Sequence, residues 1–137
     1  MKALIFHCKE YKIQIEKLAN RPKDVEPEEI TERKQESRNC IAAFITVEKK
    51  DDIETVSSEI SKEIIKTCKE VGRDEVVIVP FAHLSNNLAK SKDAKQAIDL
   101  IEEHLKDKKV IRTHFGSHKS LLLNVYGHVG AVRFREF

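Results

Sequence analysis

Val76–Lys90 reads VVIVPFAHLSNNLAK, and the rest of the chain organises around this stretch. Val76, Val77, Ile78 and Val79 form a short, continuous, β-branched run, which fits a strand buried on both faces. Pro80 lacks a backbone donor, so the ladder is expected to stop there. Phe81, Ala82 and His83 then fall at the carboxyl end of a buried strand, where open α/β sheets place ligands. Leu84-Ser85-Asn86-Asn87 is a polar turn, and Ser85 is placed to cap a short helical turn through Leu88 and Ala89.

Upstream, Ile53, Val56, Ile60, Ile64, Cys68 and Val71 recur in steps of three and four, the stripe of an amphipathic helix. Lys49-Lys50-Asp51-Asp52 offers an aspartate as N-cap, and Gly72 is the natural stop. Asn39–Glu48, NCIAAFITVE, is a second strongly apolar run and reads as a central strand. Strand, helix, strand predicts a right-handed crossover if the two strands are parallel. Farther upstream, Lys2–Cys8 reads as a buried strand. Tyr11–Glu16 alternates apolar and polar, so the two are expected to pair antiparallel through a turn at Lys9-Glu10. Asn20–Ser37, with Pro22, Pro27 and many charges, reads as a mobile surface connection, with room for a short helix starting at Pro27-Glu28-Glu29-Ile30.

Downstream, Ser91 or Asp93 can cap a second helix whose inner face is Ala94, Ala97, Ile98, Ile101 and Leu105 and whose end is Lys106–Lys109. Val110–Phe115, Ser120–Tyr126 and Val129–Phe134 read as further strands, with turns at Gly116-Ser117 and Gly127-His128. The expected fold is a single α/β domain over residues 1–137, with a mixed β-sheet and about two main helices.

With 137 residues the chain is long enough for one real core. Charged residues make up 35%, and 25 basic residues nearly balance 23 acidic ones. That balance carries no general nucleic-acid signature and leaves room only for a local basic patch on one RNA end. No apolar run approaches the length of a membrane span, and the apolar run at the N-terminus is too short for a signal peptide. Cys8, Cys40 and Cys68 are odd in number and without a CxxC pair, which fits a reducing, cytoplasmic setting.

His83 has the strongest context among the six histidines. His114 and His118 have a metal-pair spacing only on a helix, and Gly116 between them argues for a strand, so no metal site is expected. Phosphate-loop, dinucleotide and serine-nucleophile fingerprints are absent. Phe115-Gly116-Ser117-His118-Lys119 is the second suggestive stretch. Glycine lets a backbone approach a ligand, an aromatic ring stacks on a base, and a lysine holds a phosphate or polarises an oxygen.

These stretches, taken together, resemble the archaeal type of N-terminal editing domain of threonyl-tRNA synthetase. The matching pieces are Ala3-Leu4-Ile5-Phe6-His7, Ala43-Phe44-Ile45-Thr46-Val47-Glu48, Pro80-Phe81-Ala82-His83-Leu84-Ser85, Leu88-Ala89-Lys90, Phe115-Gly116-Ser117-His118-Lys119 and Gly127-His128, in order over nearly the full chain. The resemblance implies a D-aminoacyl-tRNA deacylase-like fold. It also implies hydrolysis of L-serine from seryl-tRNA(Thr), with water attack assisted by the 2′-hydroxyl of the terminal adenosine and no cofactor. On the same ground Lys119 and His83 are the expected catalytic residues. Val47, Pro80, Phe81, Ala82, Phe115, Gly116 and His118 are expected to bind substrate. The family pattern has tyrosine before the lysine, where this chain has His118. It also has a glutamate soon after the Gly-His pair, where the register gives Val132, so Glu136 is the candidate replacement acid. Expected partners are the serine-bearing 3′ end of tRNA(Thr), the rest of a synthetase or a separate synthetase chain, and a second copy in a homodimer, with no membrane. Two alternatives are a non-catalytic tRNA 3′-end binding module and a D-aminoacyl-tRNA deacylase proper.

Overall fold

Ile53–Val71 forms α1 with both of its expected ends in place. The Asp52 carboxylate accepts the Thr55 N–H at 3.0 Å, and Gly72 closes the helix at φ 69°. In the computed structural model, which describes residues 1–20 and 23–137, the stripe Val56, Ile60, Ile64 and Cys68 is buried. It packs beside Ala97, Ile98 and Ile101 of α2 (Ser91–His104). Two small polar residues let the helices approach. Ser61 donates back to the Ser57 carbonyl at 2.7 Å, and Ser57 donates to the Ala97 carbonyl at 3.4 Å. Burying a side chain such as Ile60 contributes about 1.5–3 kcal/mol.

Both helices cover one face of a six-stranded sheet: β1 (Lys2–Leu18), β2 (Lys34–Thr46), β3 (Glu75–Pro80), β4 (Lys109–Arg112), β5 (Ser117–Val125) and β6 (Val132–Glu136). The order is β4-β3-β2-β1-β5, with β6 also on β1. β2, β3 and β4 run parallel, and β1 is antiparallel to β2, β5 and β6. Val76 to Val79 is buried on both faces and β3 ends at Pro80, as the apolar run and the proline required.

β1 corrects the expected hairpin. The chain does not turn at Lys9-Glu10 but continues as one strand of 17 residues. A register shift falls there instead: Cys8 faces Val125 and Glu10 faces Asn124, while Asn39 alongside adopts φ 49°. Before the shift Ala3 and Ile5 face the helices, and Leu4, Phe6 and Cys8 face the other side. After it, Tyr11, Ile13 and Ile15 occupy that other side. One extra residue changes the phase of alternation without reversing the chain. The far edge of β1 is shared end to end, β6 pairing with Lys2–Phe6 and β5 with Cys8–Leu18.

The connection before β2 is shorter than expected, because Lys34–Ser37 already pair with Tyr11–Gln14. No helix starts at Pro27. Residues 23–33 are instead tied down by tertiary bonds: Ile30 packs on the second apolar cluster and the Arg33 carbonyl accepts the Ile15 N–H at 2.7 Å. Pro22 lies outside the described residues. Neither Ser91 nor Asp93 caps α2. Its N-cap is Lys90, without a side-chain bond, and the Lys92 N–H is taken at 3.2 Å by Asp24 from the distant connection. Leu88 and Ala89 form no helical turn either: Leu88 bridges to Glu48 and the Ala89 N–H reaches the Val47 carbonyl. β6 starts at Val132, later than expected, and Val129 is fully exposed. Among the described residues no helix is long and apolar enough to cross a membrane.

Candidate functional site

The loop after β3 is stitched to the end of β2. The Phe81 N–H donates to the Ile45 carbonyl at 2.9 Å. The Thr46 hydroxyl donates to the Phe81 carbonyl and accepts the Leu84 N–H at 3.3 Å. Glu48 is the anchor beyond them. It accepts from Ser85 Oγ at 2.6 Å and from the Met1 ammonium at 3.1 Å, and its carboxyl is held below the usual range, first by the Ser85 bond. Phe6, Phe44, Phe81 and His83 continue as a series of edge contacts, with centroids 5.4, 5.3 and 5.0 Å apart. Ala82 and His83 are exposed at its end. Val47 lies at the base of this loop. Its side chain is 5% exposed in the helix-side core and its carbonyl is taken by Ala89, so it supports the loop from below.

The second half of the site leaves the end of β4, whose Arg112 is level with Ile78 on β3. Thr113 donates its N–H to Ile78, and its hydroxyl bonds the buried Tyr11 hydroxyl at 2.8 Å, so the chain crosses the sheet face opposite the helices. Gly116 turns it at φ 87°, a conformation that favours glycine, and its carbonyl accepts the Ala19 N–H at 3.0 Å. β5 then starts. Lys119 Nζ donates to the Ser117 carbonyl at 2.8 Å. Burial lowers the lysine from its ordinary value, and the Glu28 carboxylate opposes that shift.

Glu28 was not singled out from the sequence. Its carboxylate pairs with Arg112 Nη2 and accepts the Phe115 N–H at 3.1 Å, and its carbonyl accepts from His114 Nε2 at 3.0 Å. His114 Nδ1 lies 2.9 Å from Ser117 Oγ. A carbonyl can only accept, so Nε2 carries a proton, and in the neutral imidazole Nδ1 accepts from the serine. Arg112 also reaches Asp99 and, at 3.0 Å, Glu102 on α2. No local pattern marked Glu28, because its partners lie more than 80 positions away.

Phe115 and Gly116 thus form the turn that leads into β5, where Lys119 pairs with Ile15, and Pro80–His83 leaves the end of the strand parallel to β4. His118 is exposed, opposite Lys17. Glu136 is not brought to Lys119: it pairs with Lys2 at the other end of β1. His7 sits where β5 hands over to β6, with Nδ1 2.7 Å from His128 Nε2 and Nε2 3.0 Å from Asn39 Oδ1. Among the described residues no three His, Cys, Asp or Glu side chains gather in a metal-binding group. A concavity of 660 Å³ lined by Lys12, Gln14, Lys34 and Leu122 contains none of these residues. The Phe115–Lys119 segment offers a half-buried amine, a half-buried aromatic ring and backbone polar groups, a set that can stabilise negative charge.

Among the described residues the fold is a single mixed α/β domain with six strands and two helices. The model of a family described as the archaea-specific editing domain of threonyl-tRNA synthetase matches residues 1–137, and the chain belongs to that family. It is 38% identical to the threonine–tRNA ligase editing subunit of Saccharolobus solfataricus over 91% of its own length and 31% of that protein. It is 35% identical to the threonine–tRNA ligase of Methanococcus aeolicus over 93% of this chain and 20% of the relative. The chain therefore spans a third or less of these relatives. A solved structure of the c-Myc DNA Unwinding Element Binding Protein shares the fold, with TM-score 0.67, 10% identity and coverage of 100% and 99% of the two chains.

Proposed function

We propose that this editing domain is a proofreading hydrolase that removes L-serine from seryl-tRNA(Thr). The supporting observation is the half-buried Lys119 amine, fixed on the Ser117 carbonyl just after the Phe115-Gly116 turn, in a chain that matches the editing family over residues 1–137. Phe115 and Gly116 receive the terminal adenosine. Pro80, Phe81 and Ala82 wall the aminoacyl group, and His83 and His118 at the rim orient the ester and its water. Water, assisted by the 2′-hydroxyl, adds to the ester carbonyl. Lys119 stabilises the oxyanion, and collapse releases serine and returns a proton to the 3′ oxygen. One stabilising donor of this kind is worth about 10²–10³ in rate. The reaction needs no cofactor.

Editing is needed because serine lacks only a methyl of threonine, which is worth about 1–3 kcal/mol of discrimination. The domain works in the cytoplasm with the remainder of a synthetase, on the same chain or another. A homodimer fits the sheet face opposite the helices, where Val132 and Phe134 are about half exposed in register with Phe6 and Leu4. Deacylation of seryl-tRNA(Thr) and threonyl-tRNA(Thr), with Lys119→Met alongside, tests the reading. No release of serine would overturn it in favour of a non-catalytic 3′-end binding module, and preferential release from D-aminoacyl-tRNA would make the chain a chirality editor.

A further inference from the structure

We propose that Glu28 is the positioning residue of the Phe115–Lys119 segment, holding its first amide with the carboxylate and, through its own backbone carbonyl, His114 and Ser117, the lysine on which hydrolysis depends. The inference rests on the hydrolase reading above. Three bonds converge on this one residue: Oε2 takes the Phe115 N–H, Oε1 takes Arg112, and the carbonyl takes His114 Nε2. The series continues from His114 Nδ1 to Ser117 Oγ at 2.9 Å and from the Ser117 carbonyl to Lys119 Nζ at 2.8 Å.

The connection carrying Glu28 is fastened on both sides, by Asp24 on the Lys92 N–H and by Arg33 on Ile15, so the carboxylate is delivered from a fixed strap. Glu28 and Arg112 are 19% and 18% exposed, and a charge pair so enclosed holds its geometry better than a surface pair. The charged and titratable groups facing Glu28 among the described residues are Arg112 from β4, with Asp99 and Glu102 of α2 behind it, His114 from the crossing segment and Lys119 from β5. Glu28 thus carries, from a distant part of the sequence, a carboxylate whose charge opposes the lowering of Lys119 by burial.

The test compares Glu28→Gln and Asp99→Asn in the intact chain. The readouts are kcat and KM for seryl-tRNA(Thr) across pH, the NMR titration of the Lys119 side chain, and thermal midpoints. Asp99→Asn removes a second carboxylate from Arg112 without touching the turn. Expected for Glu28→Gln is a fall in kcat of about tenfold to a hundredfold, the scale of a displaced catalytic group, with KM nearly unchanged. Its alkaline limb and the Lys119 titration should both move to lower pH, since a negative neighbour of the ammonium is lost. Asp99→Asn should match the wild type. If Glu28→Gln does not fold, Glu28→Asp keeps the charge but shortens the reach, and should lower kcat while leaving the titration in place. Wild-type kcat with an unmoved Lys119 titration in Glu28→Gln, equal losses in Glu28→Gln and Asp99→Asn, or wild-type kcat in Glu28→Asp would overturn the proposal. If the wild type hydrolyses no aminoacyl ester, the hydrolase reading fails by itself, and the Lys119 titration still decides whether Glu28 governs the lysine.

Discussion

Lys119 and Glu136 stand at opposite ends of β1, one paired with Ile15 and the other with Lys2. Their partners lie on either side of the register shift between Cys8 and Glu10, in different halves of the strand. Glu136→Gln is therefore expected to leave seryl-tRNA(Thr) hydrolysis within about twofold of wild type, below the 10²-fold scale of a lost acid–base group. Single-turnover deacylation checks this. A large loss would mean that a second copy supplies the carboxylate.

Lys119→Met should separate activity from stability. Hydrolysis should fall by about 10²–10³-fold if the lysine faces the oxyanion. Burial lowers the lysine in the folded state, so the unfolded chain holds this proton more tightly. The stability contributed by this group is then full above the unfolded value of about 10.4 and is lost as pH falls through the lower folded value. At neutral pH the methionine variant avoids that burial of charge, and its thermal midpoint should equal or exceed the wild type. A midpoint several degrees lower would show that the lysine is structural.

Tyr11 gives a dependence of the opposite sign. Burial pushes its hydroxyl up to about 12, while its bond to Thr113 opposes the shift. A raised folded value means that its contribution is fully present below the unfolded value of about 10 and is lost as pH rises through about 12. Tyr11→Phe leaves the buried Thr113 hydroxyl unpaired, so it should cost about 1–3 kcal/mol at neutral pH. It should also flatten the decline in stability between pH 10 and 12. Urea melts at neutral pH and at the alkaline end of that window measure both effects.

Gly72 isolates a backbone effect. A Cβ there would meet nothing within 4 Å, yet φ is +69°. Gly72→Ala should therefore cost about 1 kcal/mol from conformation alone, lowering the urea midpoint with an unchanged slope.

His83→Ala separates positioning from folding. The ring is exposed and its contact is the edge of Phe81 at 5.0 Å. The thermal midpoint should hold within about 0.5 kcal/mol of wild type, as for other surface changes, while kcat falls by roughly tenfold or more through lost orientation. Unchanged turnover would remove His83 from the site.

The elements most legible in the sequence were those with local causes. α1 was readable from its stripe, the Asp52 cap and Gly72, and β3 from four apolar residues and Pro80. Where the cause was distant, local reading failed. The cap of α2 comes from Asp24, and the shape of 23–33 comes from bonds to α2, β1 and the turn at 113–117. Lys9-Glu10 looked like a turn because the apolar phase breaks there, but a strand can shift phase by one residue and continue when its neighbours still pair.

By itself the sequence determined the α/β class, the crossover around β3 and the two stretches, Pro80–His83 and Phe115–Lys119, that carry the family resemblance. These follow from side-chain periodicity, proline and glycine geometry and residue identity, all of which act over a few neighbours. The three-dimensional arrangement settles that the Val47 side chain lies in the core, that Glu136 and Lys119 pair with different halves of β1, and that the Glu28 charge acts on Lys119. Those outcomes depend on which strand edges β1 shares and where a connection without regular structure is pinned. Such choices are set by the burial and hydrogen bonding of groups far apart in the chain, and a residue's immediate neighbours carry no trace of them.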